Sequence, residues 1–125
     1  MINSLVGYAT VGTNNKSKAI DFYDPIMKKL GAEQFFSNDQ MNCWAVKQTY
    51  LFAVTNPYDG SAATIGNGSM IGLPVSSADQ VDELYALALS LGALDEGPPG
   101  SRGGGFYGAY FRDLDGNKLV FYHLG

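Results

Sequence analysis

The feature that most constrains this chain is that it says the same thing twice. Leu30-Gly31-Ala32 closes one apolar-periodic segment and Leu91-Gly92-Ala93 closes another, and each is flanked by short strand-like stretches in the same order. A supersecondary unit written twice in tandem is the economical explanation. The first copy opens with a strand over Leu5 to Gly12, rich in small and β-branched residues, and Asn14 and Asn15 then offer helix N-caps. Ala19, Ile20, Tyr23, Ile26, Met27 and Leu30 recur at spacings of three and four, predicting one apolar helix face that ends at Gly31 in the C′ position. Pro25 removes a backbone donor inside that segment, so a kink is expected there, or a restart with Asp24 as cap. Strands over Glu33 to Ser37, Met41 to Lys47 and Tyr50 to Asn56 follow, separated by turn formers such as Asn38 and Asp39.

The second copy reads as a strand over Ser69 to Val75, a helix over Ser77 to Leu91, and strands over Ala93 to Glu96, Phe106 to Arg112 and Lys118 to His123. Ser77 and Gln80 form a capping box, and Val81, Leu84, Tyr85, Ala88 and Leu91 share a face. The predicted fold class is therefore α+β, with two tandem βαβββ modules at about 1–60 and 67–125 of a single domain spanning 1–125. Each helix covers one face of its own sheet, leaving the other faces to curve as a mixed sheet around a cleft. Strand alternation then assigns Leu51, Ala53, Ile71, Leu73, Leu119 and Phe121 to the helix side. Tyr8, Thr10, Phe52, Val54, Met70, Gly72, Val120 and Tyr122 fall to the cleft.

Composition narrows the partners. With 46% apolar residues in 125, a core forms without disulfide or metal staples, and Cys43 as the lone cysteine is the usage of a reducing compartment, which predicts a cytoplasmic protein. A net charge of −4, with eight basic residues that form no dense cluster, argues against nucleic acid. No apolar run reaches the roughly 18 residues of a membrane helix, and Met1 to Thr10 lacks the basic start of a leader, so no membrane partner and no processing are expected.

Several stretches resemble the vicinal oxygen chelate superfamily of glyoxalase I, extradiol dioxygenases, fosfomycin-resistance enzymes and bleomycin-binding proteins. They are Thr10-Val11-Gly12-Thr13-Asn14 leading into Ala19 to Asp24, then Gly66-Asn67-Gly68-Ser69, Asp95 to Gly100, and above all Arg112-Asp113-Leu114-Asp115-Gly116-Asn117-Lys118, a tight turn before the last strand. Their order and spacing span nearly the whole chain and imply a glyoxalase-like fold. In metal-using relatives the first strand of each module usually supplies a His and the last a Glu or another polar ligand; the matching positions here are Tyr8, Phe52, Met70 and Val120. None suits zinc, nickel or iron, which need roughly three or four N, O or thiolate ligands. The resemblance thus implies a member with no metal and no cofactor. By analogy with bleomycin-resistance proteins, it also implies a homodimer that sequesters a ligand.

The remaining chemistry-bearing residues are few. Arg102 stands in Gly97-Pro98-Pro99-Gly100-Ser101-Arg102-Gly103-Gly104-Gly105, which resembles the family's mobile flap, and a guanidinium there could clamp a carboxylate or phosphate. Without a following helix this is no phosphate loop. Asp113 and Asp115 read as solvated turn residues, His123 as an edge histidine and Cys43 as core. The ligand-binding set is Tyr8, Thr10, Phe52, Met70, Arg102, Tyr110, Val120 and Tyr122. Those side chains predict a partly aromatic or apolar small-molecule ligand. The rival is a lyase or isomerase of the glyoxalase kind with atypical or no metal ligands.

Overall fold

The computed structural model describes residues 5–125 of the chain. It divides into two compact units, Met1–Thr64 and Ile65–Gly125. The first contains β1 (Tyr8–Gly12), α1 (Lys16–Lys29), β2 (Glu33–Ser37), β3 (Met41–Val46) and β4 (Tyr50–Thr55). The second contains β5 (Ile71–Pro74), α2 (Ala78–Ser90), β6 (Leu94–Ser101), β7 (Phe106–Arg112) and β8 (Lys118–Leu124). The two sheets have the same topology, β1-β4-β3-β2 and β5-β8-β7-β6, each with one parallel pair and two antiparallel pairs. This is the tandem βαβββ arrangement expected from the repeat.

The repeated Leu-Gly-Ala owes its form to the way a helix must end. After α1, Gly31 N–H donates to Lys28 O at 3.0 Å and Ala32 N–H to Met27 O at 2.9 Å; after α2, Gly92 donates to Leu89 O at 3.1 Å and Ala93 to Ala88 O at 3.0 Å. Both are Schellman closures, which satisfy the last carbonyls of the helix and need a left-handed residue at C′. Gly31 and Gly92, at φ of +82° and +106°, supply it. Ala32 and Ala93 then turn inward, 6% and 8% exposed, so the closing triplet also starts the next core layer.

At the other end of α1 the two asparagines divide the work. Asn15 Oδ1 accepts Lys18 N–H at 3.1 Å as the N-cap, whereas Asn14 exchanges two side-chain bonds with the backbone of Ala63, at 2.7 and 3.1 Å. Gly12 lets that segment come close, because a Cβ there would sit 3.0 Å from Ala63 Cβ.

The helix continues through Pro25, so neither the restart nor an Asp24 cap is found. Asp24 is occupied elsewhere: its carboxylate accepts the Trp44 indole N–H at 3.0 Å and pairs with Lys28 at 3.0 Å. The buried face of α1 is Ala19, Phe22, Tyr23, Ile26 and Met27. Phe22, which the spacing had left out, replaces the half-buried Ile20. The Trp44 bond first, and Lys28 second, hold the Asp24 carboxyl below the usual carboxylate range. A depressed folded value contributes stability that is complete above about pH 4 and is lost as pH falls through it. Asp24→Asn is therefore expected to destabilise the protein at about pH 7, with the gap to wild type narrowing as pH falls below about 4, measured as urea midpoints across that range. A gap that stays constant with falling pH would assign the effect to packing instead.

Strand limits differ from the sequence reading where pairing ends or extends. Leu5 to Gly7 lie outside β1, whose ladder begins with Tyr8 opposite Leu51. Residues ahead of β5 form a turn closed by Ser69 N–H to Gly66 O at 3.1 Å, so that strand starts at Ile71. The largest change is in β6, which runs to Ser101 and pairs Gly97 with Tyr110, Gly100 with Gly108 and Ser101 with Tyr107 through two register shifts. Most of the glycine-rich segment expected as a flap is thus a bulged strand, because Gly and Pro at an edge bend it without ending the pairing.

Candidate functional site

Aromatic contacts identify which face of each sheet is covered. In the first unit Tyr23 of α1 lies 5.0 Å from Phe52 and 6.1 Å from Trp44, ring centroid to centroid. Phe52 and its cross-strand neighbour Trp44 therefore face the helix, together with Val54 two residues on. The placement of Phe52 and Val54 on the open face, and of Leu51 and Ala53 under the helix, is corrected. The error is a register slip: Tyr8 stands opposite Leu51, whereas Ile71 stands opposite Leu119. Leu51 and Leu119 are therefore not equivalent, and a one-residue shift exchanges the two faces of a strand. The residue that corresponds to Val120 is Ala53.

The open face of the first unit carries Tyr8, Thr10, Leu51, Ala53, Met41 and Cys43. Tyr8, half exposed, donates its hydroxyl to the Met41 sulfur at 3.4 Å. Since β4 lies between β1 and β3, this contact crosses the row Thr10–Ala53–Cys43, and Ala53 and Cys43 have no exposed surface. Burial raises the Cys43 thiol above its usual range, so little thiolate is present near neutrality. Native protein should react with Ellman's reagent far more slowly than unfolded protein. Tyr8→Ala, by removing the cover, should speed the native reaction by about tenfold. An unchanged rate would mean that Tyr8 does not shield the thiol.

In the second unit the alternation expected from the sequence holds. Phe111 and Phe121 stack at 4.7 Å and are fully buried, and Tyr107, two residues from Ala109 on the same side, donates to Asp82 of α2 at 2.7 Å. This side faces the helix. His123, opposite Tyr107, is half-buried with Nδ1 3.1 Å from Val75 O rather than free at an edge. The open face carries Phe106, Gly108, Tyr110 and Arg112 from β7 and Lys118, Val120 and Tyr122 from β8. Phe106 and Tyr122 stack with centroids 5.3 Å apart and planes within 6°. Val120 is 1% exposed beneath them, and the bare backbones of Gly72 and Gly108 lie against it and these rings.

Arg102 leaves the β6–β7 turn and folds back so that its guanidinium carbon lies 5.5 Å from the Tyr110 ring centroid; Nη2 donates to Pro98 O at 2.6 Å. Lys118 reaches the same ring, Nζ 5.4 Å from the centroid. Arg112 is neutralised by Glu96. Of the residues singled out from the sequence, Tyr8 and Thr10 share one open face, and Arg102, Tyr110, Val120 and Tyr122 share the other. Met70 precedes β5 and is 46% exposed. Lys118 was missed because a lysine after a turn looks like an ordinary solvated cation; its alternation with Val120 was the available signal. Asp113 is corrected from solvated to buried, at 4% exposure.

Metal-using members of the resembled superfamily hold a divalent ion, and the donor set here does not fit one. Among the described residues no three His, Cys, Asp or Glu side chains lie close enough together to hold a metal. The corrected fourth position, Ala53, is no better a ligand than Phe52.

Among the described residues no helix is long and apolar enough to cross a membrane. No protein-family model matches the chain, and neither does any curated protein. Solved structures do. A glyoxalase/bleomycin resistance protein from Albidiferax ferrireducens T118 is 34% identical, with a TM-score of 0.89 over 96% of this chain and 98% of that one. A hypothetical protein from S. aureus is 27% identical, with a TM-score of 0.72 over 98% and 94%. A glyoxalase/bleomycin resistance protein/dioxygenase family enzyme from Burkholderia phytofirmans PsJN, 15% identical at a TM-score of 0.76 over 95% and 98%, shares the fold. With topology, turn signature and a near full-length relative in agreement, the chain belongs to the glyoxalase/bleomycin resistance protein family of the vicinal oxygen chelate superfamily.

Proposed function

We propose that this protein binds a small, partly aromatic or apolar organic molecule on its open sheet faces without using a metal ion. The observation that carries this reading is the character of those faces. The strand positions where metal-using relatives place His and Glu hold Tyr8, Ala53 and Val120, with Met70 just ahead of β5, and no metal-ligating cluster forms among the described residues. What stands there instead, Tyr8 over small side chains and the Phe106–Tyr122 stack over bare glycine backbone, offers flat apolar surface with a few hydroxyls. Such surface suits a planar organic ligand.

The reading treats residues 1–125 as one cytoplasmic domain, which the lone buried thiol supports, acting as a homodimer, which rests on the family resemblance. Its test pairs metal analysis of purified protein with a thermal-shift screen of aromatic metabolites and drugs. A ligand that binds the native state raises Tm by mass action, and is expected to do so equally with and without a chelator. A stoichiometric divalent ion whose removal abolishes ligand stabilisation would overturn the metal-free reading and favour the lyase or isomerase.

A further inference from the structure

The open face of the second unit contains two cations that form no ion pair among the described residues. The chain carries a net charge of −4, and the ion pairs among the described residues are Lys28–Asp24 and Arg112–Glu96. Arg102 and Lys118 are in neither. Both lie instead against one ring, Tyr110, at 5.5 and 5.4 Å from its centroid. They reach it from opposite sides: Arg102 lies along β6, paired on one side of β7, and Lys118 belongs to β8, paired on the other.

The Arg102 position is built. A Cβ on Gly97 would come within 3.3 Å of its Nη2, and one on Gly100 within 2.8 Å of its Nη1. Glycine at these two places clears a channel along β6 in which the side chain lies back toward Tyr110, and the bond to Pro98 O fixes the guanidinium while committing a single nitrogen. A guanidinium held in this way loses little conformational freedom when it binds an anion. Beside it, the parallel Phe106–Tyr122 stack, supported from below by the buried Val120, provides a flat apolar bed on the same face.

We infer that this face is a receptor for a planar organic anion, with a carboxylate or phosphate ester held by Arg102 beside Tyr110, Lys118 adding its charge from across that ring, and the ring of the ligand against Phe106 and Tyr122. This rests on the proposed small-molecule binding and adds the charge of the ligand and its orientation. The glycine-rich strand then has a purpose beyond bending: it makes room for the arginine.

The test uses the full chain and four probes, namely benzoate, phenyl phosphate, benzyl alcohol and inorganic phosphate, with amide chemical shifts followed by NMR. Benzoate or phenyl phosphate is expected to bind at least tenfold more tightly than benzyl alcohol or inorganic phosphate, and which of the two wins identifies the anionic group. Shifts should centre on Gly97 to Gly108 and Val120. Arg102→Ala and Lys118→Gln should each weaken binding about tenfold. Gly100→Ala, which only displaces the end of a flexible side chain, should weaken it with Tm unchanged. Benzyl alcohol binding as tightly as benzoate, with both charge variants indifferent, would overturn the anion receptor and leave the aromatic binding face standing. Inorganic phosphate binding as tightly as phenyl phosphate would overturn the role of the ring bed. No binding by any probe would overturn the inference, while the broader reading would still be decided by the thermal-shift screen.

Discussion

Phe52→Ala is expected to cost about 3–5 kcal/mol of folding stability, the range for removing a buried ring from a packed core. Phe52 is 7% exposed and sits 5.0 Å from Tyr23 and 6.4 Å from Trp44, both of them 1% exposed. Its removal leaves a cavity that two rigid neighbours, the Tyr23 and Trp44 rings, can fill only in part. With about 3–5 °C per kcal/mol for a chain of this size, Tm should fall by roughly 10–20 °C. A side chain on an open, ligand-facing surface behaves otherwise. Its truncation would change stability by under about 1 kcal/mol and would act mainly on ligand affinity. Urea denaturation of wild type and Phe52→Ala therefore reads out the face that Phe52 occupies, and a small loss would restore the register inferred from the repeat. Leu51→Ala is the companion measurement. Leu51 is only partly buried and lies on the open side, so its cost should be the smaller of the two.

The contrast between these neighbours marks how far the sequence carries. Helix ends were readable because they depend on local chemistry: Ser77 accepts Gln80 N–H, and both Leu-Gly-Ala triplets close their helices through bonds spanning a few residues. Topology was readable because the repeat doubled every weak signal. The face of β4 was not, because matching the last strands by similarity alone fixes them only to within a residue, whereas facing has a period of two. Trp44 held the missing information. A lone Trp in β3 has to be buried and needs an acceptor, and Asp24 on α1 supplies one, which would have placed β3 and then its partner Phe52 toward the helix. On the candidate site, Tyr8, Thr10, Val120 and Tyr122 followed from alternation, and Tyr110 was named without it. The Arg102–Tyr110–Lys118 arrangement did not, since it depends on β6 remaining paired through Gly97 and Gly100, a bulged geometry that composition reads as loop.

Asp113 exposes the same limit from the opposite direction, and its substitution should have the second largest effect. In Arg112-Asp113-Leu114-Asp115-Gly116-Asn117-Lys118 every polar residue looks solvated, yet Asp113 is the internal tie of the turn. Its Oδ1 accepts the backbone N–H groups of Asp115 and Asn117, both at 2.9 Å, and its Oδ2 accepts Asn117 Nδ2 at 3.0 Å. Its own N–H donates to Asn117 O at 2.9 Å, so carboxylate and backbone together clamp the span that sets Arg112 opposite Lys118. Hydrogen bonds to a charged acceptor contribute roughly 1.5–3 kcal/mol each and are not additive, and here the partners keep some access to water. Asp113→Ala should therefore cost about 2–4 kcal/mol. Asp113→Asn separates geometry from charge. One amide oxygen can still receive the two backbone donors, but the amide nitrogen then faces Asn117 Nδ2, donor against donor, so about half the loss should return. Hydrogen exchange at Asp115 and Asn117 should quicken more in the alanine variant than in the asparagine variant. If both variants lie within about 0.5 kcal/mol of wild type, the value expected for a solvated surface position, then the carboxylate does not hold this turn. In that case the β7–β8 register, on which the pairing of Tyr110 with Val120 depends, must be set by the strands alone.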